Sequence, residues 1–130
     1  MNNNLTVFPA IFTNDGKYYN VDFIDLIGCS TFGNSIQEAY KMAQEAMGLF
    51  LDNLVKFPKP TLDFFDINLD TNQFISFVSI DMKEYRKKFN NKAVKKTLTI
   101  PAWLNNLAEK NGINFSQVLQ EALKEKLDID

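Results

Sequence analysis

Half of the basic residues in this 130-residue chain, seven of fourteen, fall between Lys83 and Leu98. Lys83, Arg86, Lys87, Lys88, Lys92, Lys95 and Lys96 stand there against one acid, Glu84, a local charge of +6. Residues 1–82 hold four basic and ten acidic side chains, giving −6, and residues 99–130 carry −2. The chemistry open to the basic run is phosphate binding, and the acidic body beside it calls for a second partner of positive charge. The other candidate chemistry is metal-dependent and would use Asp22, Asp25, Glu38 and Asp81. There is no histidine, which removes Ser-His and Cys-His nucleophile systems and the commonest zinc ligand. With five glycines the chain has no Gly-rich phosphate loop, and no cofactor is expected. The single Cys29 excludes an intramolecular disulfide and reads as a small buried filler in a reducing, cytoplasmic protein. No apolar run approaches the ~18 residues of a membrane span, and MNNNLTVFPA lacks the charged start of a signal peptide.

These side chains need elements to hold them, and the pattern supplies two sets. Leu5–Thr13 and Lys17–Phe23 are rich in aromatic and β-branched residues and flank Asn14-Asp15-Gly16, which predicts a hairpin. Ile27–Thr31 is predicted as a third strand, with Gly33 turning the chain out of it. Ser35-Ile36-Gln37-Glu38 has the spacing of a capping box. Ile36, Ala39, Ala43, Ala46, Met47, Phe50 and Leu54 then recur at helical spacing, predicting a helix that reaches Lys56 before Pro58 and Pro60 end it. Phe74–Ile80 is the next strand, and Asp81-Met82-Lys83-Glu84 opens a short basic helix. The expected class is α+β, a βββαβ domain over residues 1–88 with one helix on an antiparallel sheet. Capping and turn roles account for Glu38 and Asp81.

Phe89–Val94 reads as a linker, and residues 95–130 as a second domain. Its strand alternates, with Lys95, Thr97 and Thr99 on one face and Lys96, Leu98 and Ile100 on the other. Pro101 ends it and suits the first position of a helix that runs to Asn111-Gly112, with Gly112 as the left-handed stop. Asn114 caps a last helix, and Gln117 takes the capping-box position. A lone strand with two short amphipathic helices buries too little surface to fold by itself. Two copies that pair their strands would close a shared core of Leu98, Ile100, Trp103, Leu107, Leu119 and Leu123. The resulting two-stranded ribbon has the width of the DNA major groove.

From Lys95 to Leu127 the chain resembles the ribbon-helix-helix family of bacterial repressors: alternating strand, Pro101, helix, Asn111-Gly112, Asn-capped helix. The resemblance implies base contacts from Lys95, Thr97 and Thr99. It also implies a phosphate at the start of the last helix, on Asn114, Phe115 and Ser116, where free N–H groups and the helix dipole favour an anion. Lys92 and Lys96 are the expected further phosphate contacts. Asp22–Leu51 resembles HicB antitoxins through Gly28-Cys29, Thr31, Gly33, Ser35, Glu38-Ala39, Ala43 and Glu45-Ala46. That resemblance implies a trimmed RNase H fold, inhibition of a HicA-type mRNA-cleaving ribonuclease toxin, and repression of the protein's own operon as a homodimer or larger assembly. It leaves the toxin-contacting residues open, with Tyr18 and Tyr19 as either contacts or packing. Two other readings are a metal-dependent RNase H-like nuclease and a repressor with a small-molecule-sensing N-terminal domain. The first lacks an acid anywhere in Leu5–Thr13, where the central one would stand.

Overall fold

The computed structural model describes residues 5–129. They form β1 (Leu5–Asn14), β2 (Tyr19–Phe23), β3 (Ser30–Gly33), α1 (Ile36–Asp52), β4 (Gln73–Asp81), α2 (Met82–Phe89), α3 (Ala102–Lys110) and α4 (Phe115–Lys126). The chain divides into two compact units, Met1–Lys92 and Ala93–Asp130. The class is α+β, with a β-rich N-terminal region followed by helices.

In the first unit the four strands form an antiparallel sheet in the order β3-β2-β1-β4. Strand alternation turns Phe8, Ala10 and Phe12 to one face with Val21, Phe23 and Val78, all buried. Ala39, Ala43, Met47 and Leu51, spaced along one stripe of α1, close over them. The helix comes close because its facing residues are small and because Gly33 has no side chain. A Cβ at Gly33 would run into the α1 backbone at Glu38 and Ala39. Pro9 sits in a central strand, where a proline normally removes a ladder bond. Its carbonyl accepts from the Ile24 N–H, so its nitrogen faces the same side, just past the last β1–β2 pair, Ala10–Phe23, where the ladder ends. β4 is an edge strand. Its outward-facing Ser79 is covered from α1, with the Ser79 N–H donating to the Tyr40 hydroxyl and the Gln44 side chain donating to the Ser79 carbonyl.

Besides one-residue shifts at the ends of β1 and β4, three element boundaries of the first unit differ from the sequence expectation, each for a local reason. β2 begins at Tyr19 rather than Lys17 because the Asp15 carboxylate accepts from the N–H groups of Lys17 and Tyr18 and from Asn20, making a four-residue connection. These donors, Tyr18 first, hold the Asp15 carboxyl below its ordinary value. The third strand is Ser30–Gly33, not Ile27–Thr31. Gly28 takes a left-handed conformation and the Cys29 N–H bonds back to the Leu26 carbonyl, so this stretch is a turn with Ile27 at its tip. α1 stops at Asp52, short of Lys56, where the Asn53 side chain caps the Leu49 carbonyl. Ile36, expected in the helix stripe, is exposed, and Leu51, absent from it, is fully buried.

α2 also belongs to this core. Tyr85 lies on Gly48 of α1, where a Cβ would stand 2.5 Å from the ring. Arg86 pairs with Asp52 at 2.9 Å. Burial, then the nearby carboxylates of Asp52 and Glu45, raise the Tyr85 hydroxyl above its ordinary pKa.

The second unit is held by local bonds. Pro101 is the N-cap of α3, one position earlier than expected. Gly112, at φ +66°, ends the helix with paired bonds, Gly112 N–H to the Glu109 carbonyl and Ile113 N–H to the Ala108 carbonyl. None of its described residues is buried.

Candidate partner-binding surfaces

The basic run is divided by what the fold does with it. Arg86 is committed to Asp52 of α1, and Lys87 lies 3.8 Å from Glu84 one turn back. Lys88 stands over the Phe89 ring. Lys92, Lys95 and Lys96 lie on an exposed stretch from Asn90 to Pro101 that forms neither helix nor strand, so the strand expected at Lys95–Ile100 is not formed in the single chain. Thr97, Leu98, Thr99 and Ile100 share that exposure, and Lys95–Ile100 has no ladder partner within its own chain. Trp103, Leu107 and Leu123 are exposed, and Leu119 is half-buried.

At the start of α4 the Asn114 side chain accepts from the Gln117 N–H at 3.1 Å. Only half of a capping box forms, because the Gln117 amide donates to Glu121 instead of reaching back. Ser116 accepts from Gln120 through its hydroxyl. The N–H groups of Phe115 and Ser116 have no intrahelical acceptor and lie at an exposed helix end, where an anion is favoured.

The carboxylates singled out by sequence do separate jobs. Glu38 accepts from the Asn34 N–H while its own N–H donates to Ser35, which starts α1. Asp81 caps α2 by accepting from Lys83 and Glu84. Asp25 is taken up by Thr61, whose N–H donates to it at 2.8 Å and whose hydroxyl donates to the other oxygen. Asp22 lies on the sheet face away from α1, in a shallow polar hollow with Thr13, Asn20 and Ser30. Among the described residues no three His, Cys, Asp or Glu side chains come together as a metal cluster. Cys29 is buried, and burial pushes its thiol up to about 11. Tyr18 packs on Phe32 and Tyr19 against the core.

A surface not singled out by sequence lies in the segment between α1 and β4. It has neither helix nor strand, yet it is held at intervals. Phe57 packs on the core, Thr61 bonds Asp25, Phe64 meets Phe77 at 5.8 Å between ring centres, and Asn72 exchanges bonds with Asn14. Between these ties Leu62 is 74% and Phe65 94% exposed. Its sequence signal is TLDFFDINLD, where acids alternate with apolar residues. That alternation matches no helix or strand period, so no element points to it.

The family described as HicB-like antitoxin of bacterial toxin-antitoxin system matches residues 8–123. A chain of a toxin-antitoxin complex from Streptococcus pneumoniae is 33% identical, covers 94% of this chain and 99% of its own, and superposes with a TM-score of 0.54. The antitoxin HicB3 is 25% identical over 93% of this chain and 97% of its own, with a TM-score of 0.49. The antitoxin HicB of Burkholderia pseudomallei is 22% identical over 94% and 98%, at 0.48. Curated protein sequences give no significant match. No helix among the described residues is long and apolar enough to cross a membrane.

Proposed function

The chain belongs to the family of HicB-like antitoxins of bacterial toxin-antitoxin systems, whose members are non-catalytic, and from that premise we propose that its two units divide the work. The first unit, in this reading the HicB-like domain, captures and inhibits a HicA-type mRNA-cleaving ribonuclease. The second dimerises as a ribbon-helix-helix module and represses the protein's own operon by binding promoter DNA.

One observation supports the division above others. Residues 93–129 contain no buried side chain, while Leu98, Ile100, Trp103, Leu107 and Leu123 are all exposed in the single chain. A unit of fewer than about 40 residues in that condition lacks a core of its own, and a second copy supplies one. Pairing of Lys95–Ile100 with its twin satisfies the strand edges and turns Leu98 and Ile100 inward. Lys95, Thr97 and Thr99 of each copy then face outward together, where lysine meets guanine acceptors and threonine meets the thymine methyl. Lys92, Lys96 and the start of α4 at Asn114, Phe115 and Ser116 supply phosphate contacts. For the first unit the support is charge, since ten acids against four basic residues over residues 1–82 suit a partner built to hold RNA.

Gel-shift titration on promoter and scrambled duplex at two salt concentrations tests the DNA half. Thr97→Ala is expected to weaken the promoter complex by roughly 1–3 kcal/mol for each base contact it removes, while leaving scrambled DNA unaffected. Lys92→Ala is expected to weaken both alike and make the salt slope shallower by up to about 0.9 for each phosphate it no longer neutralises. Unchanged promoter preference in a folded Thr97→Ala dimer rules out Lys95–Ile100 as the reading element.

A further inference from the structure

We propose that the segment Thr61–Asp70 is the strap by which the first unit grips its toxin, with Leu62 and Phe65 entering an apolar recess on that protein and Asp63, Asp66 and Asp70 meeting its basic surface. This rests on the toxin-binding reading above and gives it a location.

Long segments without helix or strand are uncommon inside compact units and usually serve binding when they are well held. This one is well held. Thr61, Phe64 and Ile67 recur every third residue and are half-buried, and the residues between them are exposed. Thr61 is tied to Asp25 through both its N–H and its hydroxyl. Phe64 is seated on Phe77 of β4. The turn between these anchors is fixed locally, with the Asp63 carboxylate accepting from the Phe65 N–H at 3.0 Å and the Phe64 carbonyl accepting from the Ile67 N–H at 3.1 Å. Beyond it the Gln73 side chain accepts from the Asp70 N–H and the Gln73 N–H donates to the Asp70 carbonyl. A segment so fixed has given up most of its conformational freedom before any partner arrives, which removes a large cost of association.

What it presents is unusual for a surface. Phe64 is spent on packing, while its neighbour Phe65 is turned to solvent at 94% exposure. Leu62, the residue after the Thr61 anchor, is also exposed, as is Ile27, two positions beyond Asp25. Single exposed apolar residues are ordinary, but several gathered on a rigid turn and rimmed by charge mark a protein interface. The rim here has one sign. Thr61–Asp70 contains three aspartates and no basic residue; Lys56 and Lys59 lie upstream of the Thr61 anchor. An aromatic centre inside an acidic rim fits a basic protein, with the centre setting the dissociation rate and the rim the association rate.

The test uses the full chain and, as probe, a HicA-type ribonuclease made inactive by substitution in its active site. Binding is followed by surface-plasmon kinetics at two salt concentrations. Leu62→Ser with Phe65→Ser is expected to raise Kd at least tenfold through faster dissociation. Because both residues are exposed, the melting curve of the chain should not move. Asp66→Asn with Asp70→Asn is expected to slow association and flatten its salt dependence, with little effect on dissociation. Wild-type kinetics in both double variants overturn the strap while leaving toxin binding standing. Loss of self-association in place of toxin affinity assigns the strap to a second copy and overturns the proposal equally. A wild-type chain that leaves the probe unbound defeats the toxin-binding reading itself, and the strap falls with it.

Discussion

Phe8 and Trp103 are both large aromatics on regular elements, yet Phe8 is 2% exposed and Trp103 65%. Phe8 sits on β1 between α1 above and strands on either side, in a core that also includes Phe12, Leu26, Met47 and Leu51. Trp103 sits on α3, which shares its unit with the irregular Lys95–Ile100 stretch and α4, and no described residue there is buried. The difference is one of completeness. The first unit covers Ser79 of its β4 edge from within, through Tyr40 and Gln44, and fills its interior with its own side chains. The second has well-made helix ends and no interior. Local bonds fix the shape of its pieces, but burial is what stabilises a fold, and under the proposed function that burial comes from a second copy.

The largest effect expected from this contrast is on assembly. Leu98→Asp places a carboxylate where the shared core is proposed to form, at a cost of several kcal/mol that a small interface cannot absorb. Sedimentation velocity should show the variant as a monomer with promoter binding abolished, and calorimetry should still show the transition of the first unit. A stable dimer would mean that Leu98 does not face the partner copy.

Next in size is damage to the complete unit. Met47 is fully buried at the centre of the α1 stripe. Met47→Ala should destabilise the first unit by about 2–5 kcal/mol, the range for emptying a large aliphatic site in a core that relaxes only in part. Chemical denaturation should report that loss while the dimer constant, measured separately, stays put. If both change together, the two units do not fold as independent bodies.

Much of this contrast is legible in the amino-acid sequence, because it rests on periodicity and capping. The α1 stripe and its Ser35–Glu38 start, the alternation of Phe8, Ala10 and Phe12, and the Gly112 stop each follow from residue type at fixed spacing. The pieces that sequence misplaces are those where a tertiary or turn contact outvotes a local preference. Ile27–Thr31 has strand-forming residues, but the left-handed Gly28 converts its first half to a turn. The spacing at Ser35 predicts the capping box, although Glu38 bonds Asn34 rather than the cap residue itself. Arg86 reads as part of the basic run because sequence cannot show that Asp52, 34 positions earlier, stands beside it. The Thr61–Asp70 strap is invisible to periodicity because its anchors, Asp25 and Phe77, are distant in the chain and its period of three matches neither the ~3.6 of an α-helix nor the ~2 of a strand. The expected strand Lys95–Ile100 differs again: the single chain forms no strand there, and the proposed ribbon needs a second copy to give it a ladder.

The smallest predicted effect concerns where the complete unit ends. The Arg86–Asp52 pair ties α2 to α1, and Asn90 reaches the same carboxylate at 3.3 Å. Both charges keep contact with solvent, Arg86 more than Asp52, so the screened pair should contribute only about 0.2–1 kcal/mol. The seat of Tyr85 on Gly48 is therefore the stronger tie of α2 to the first unit. Asp52→Asn removes the ion pair while leaving that seat and an acceptor for Asn90. The expected outcome is a melting temperature for the first unit lowered by no more than roughly 4–8 °C, with less difference from wild type in high salt and no change in dimerisation. A loss several times larger would mean that the polar tie, and not the Tyr85 contact, holds α2 in place. A change in dimerisation would mean that α2 takes part in the incomplete unit, and the line between the two would then fall before Met82.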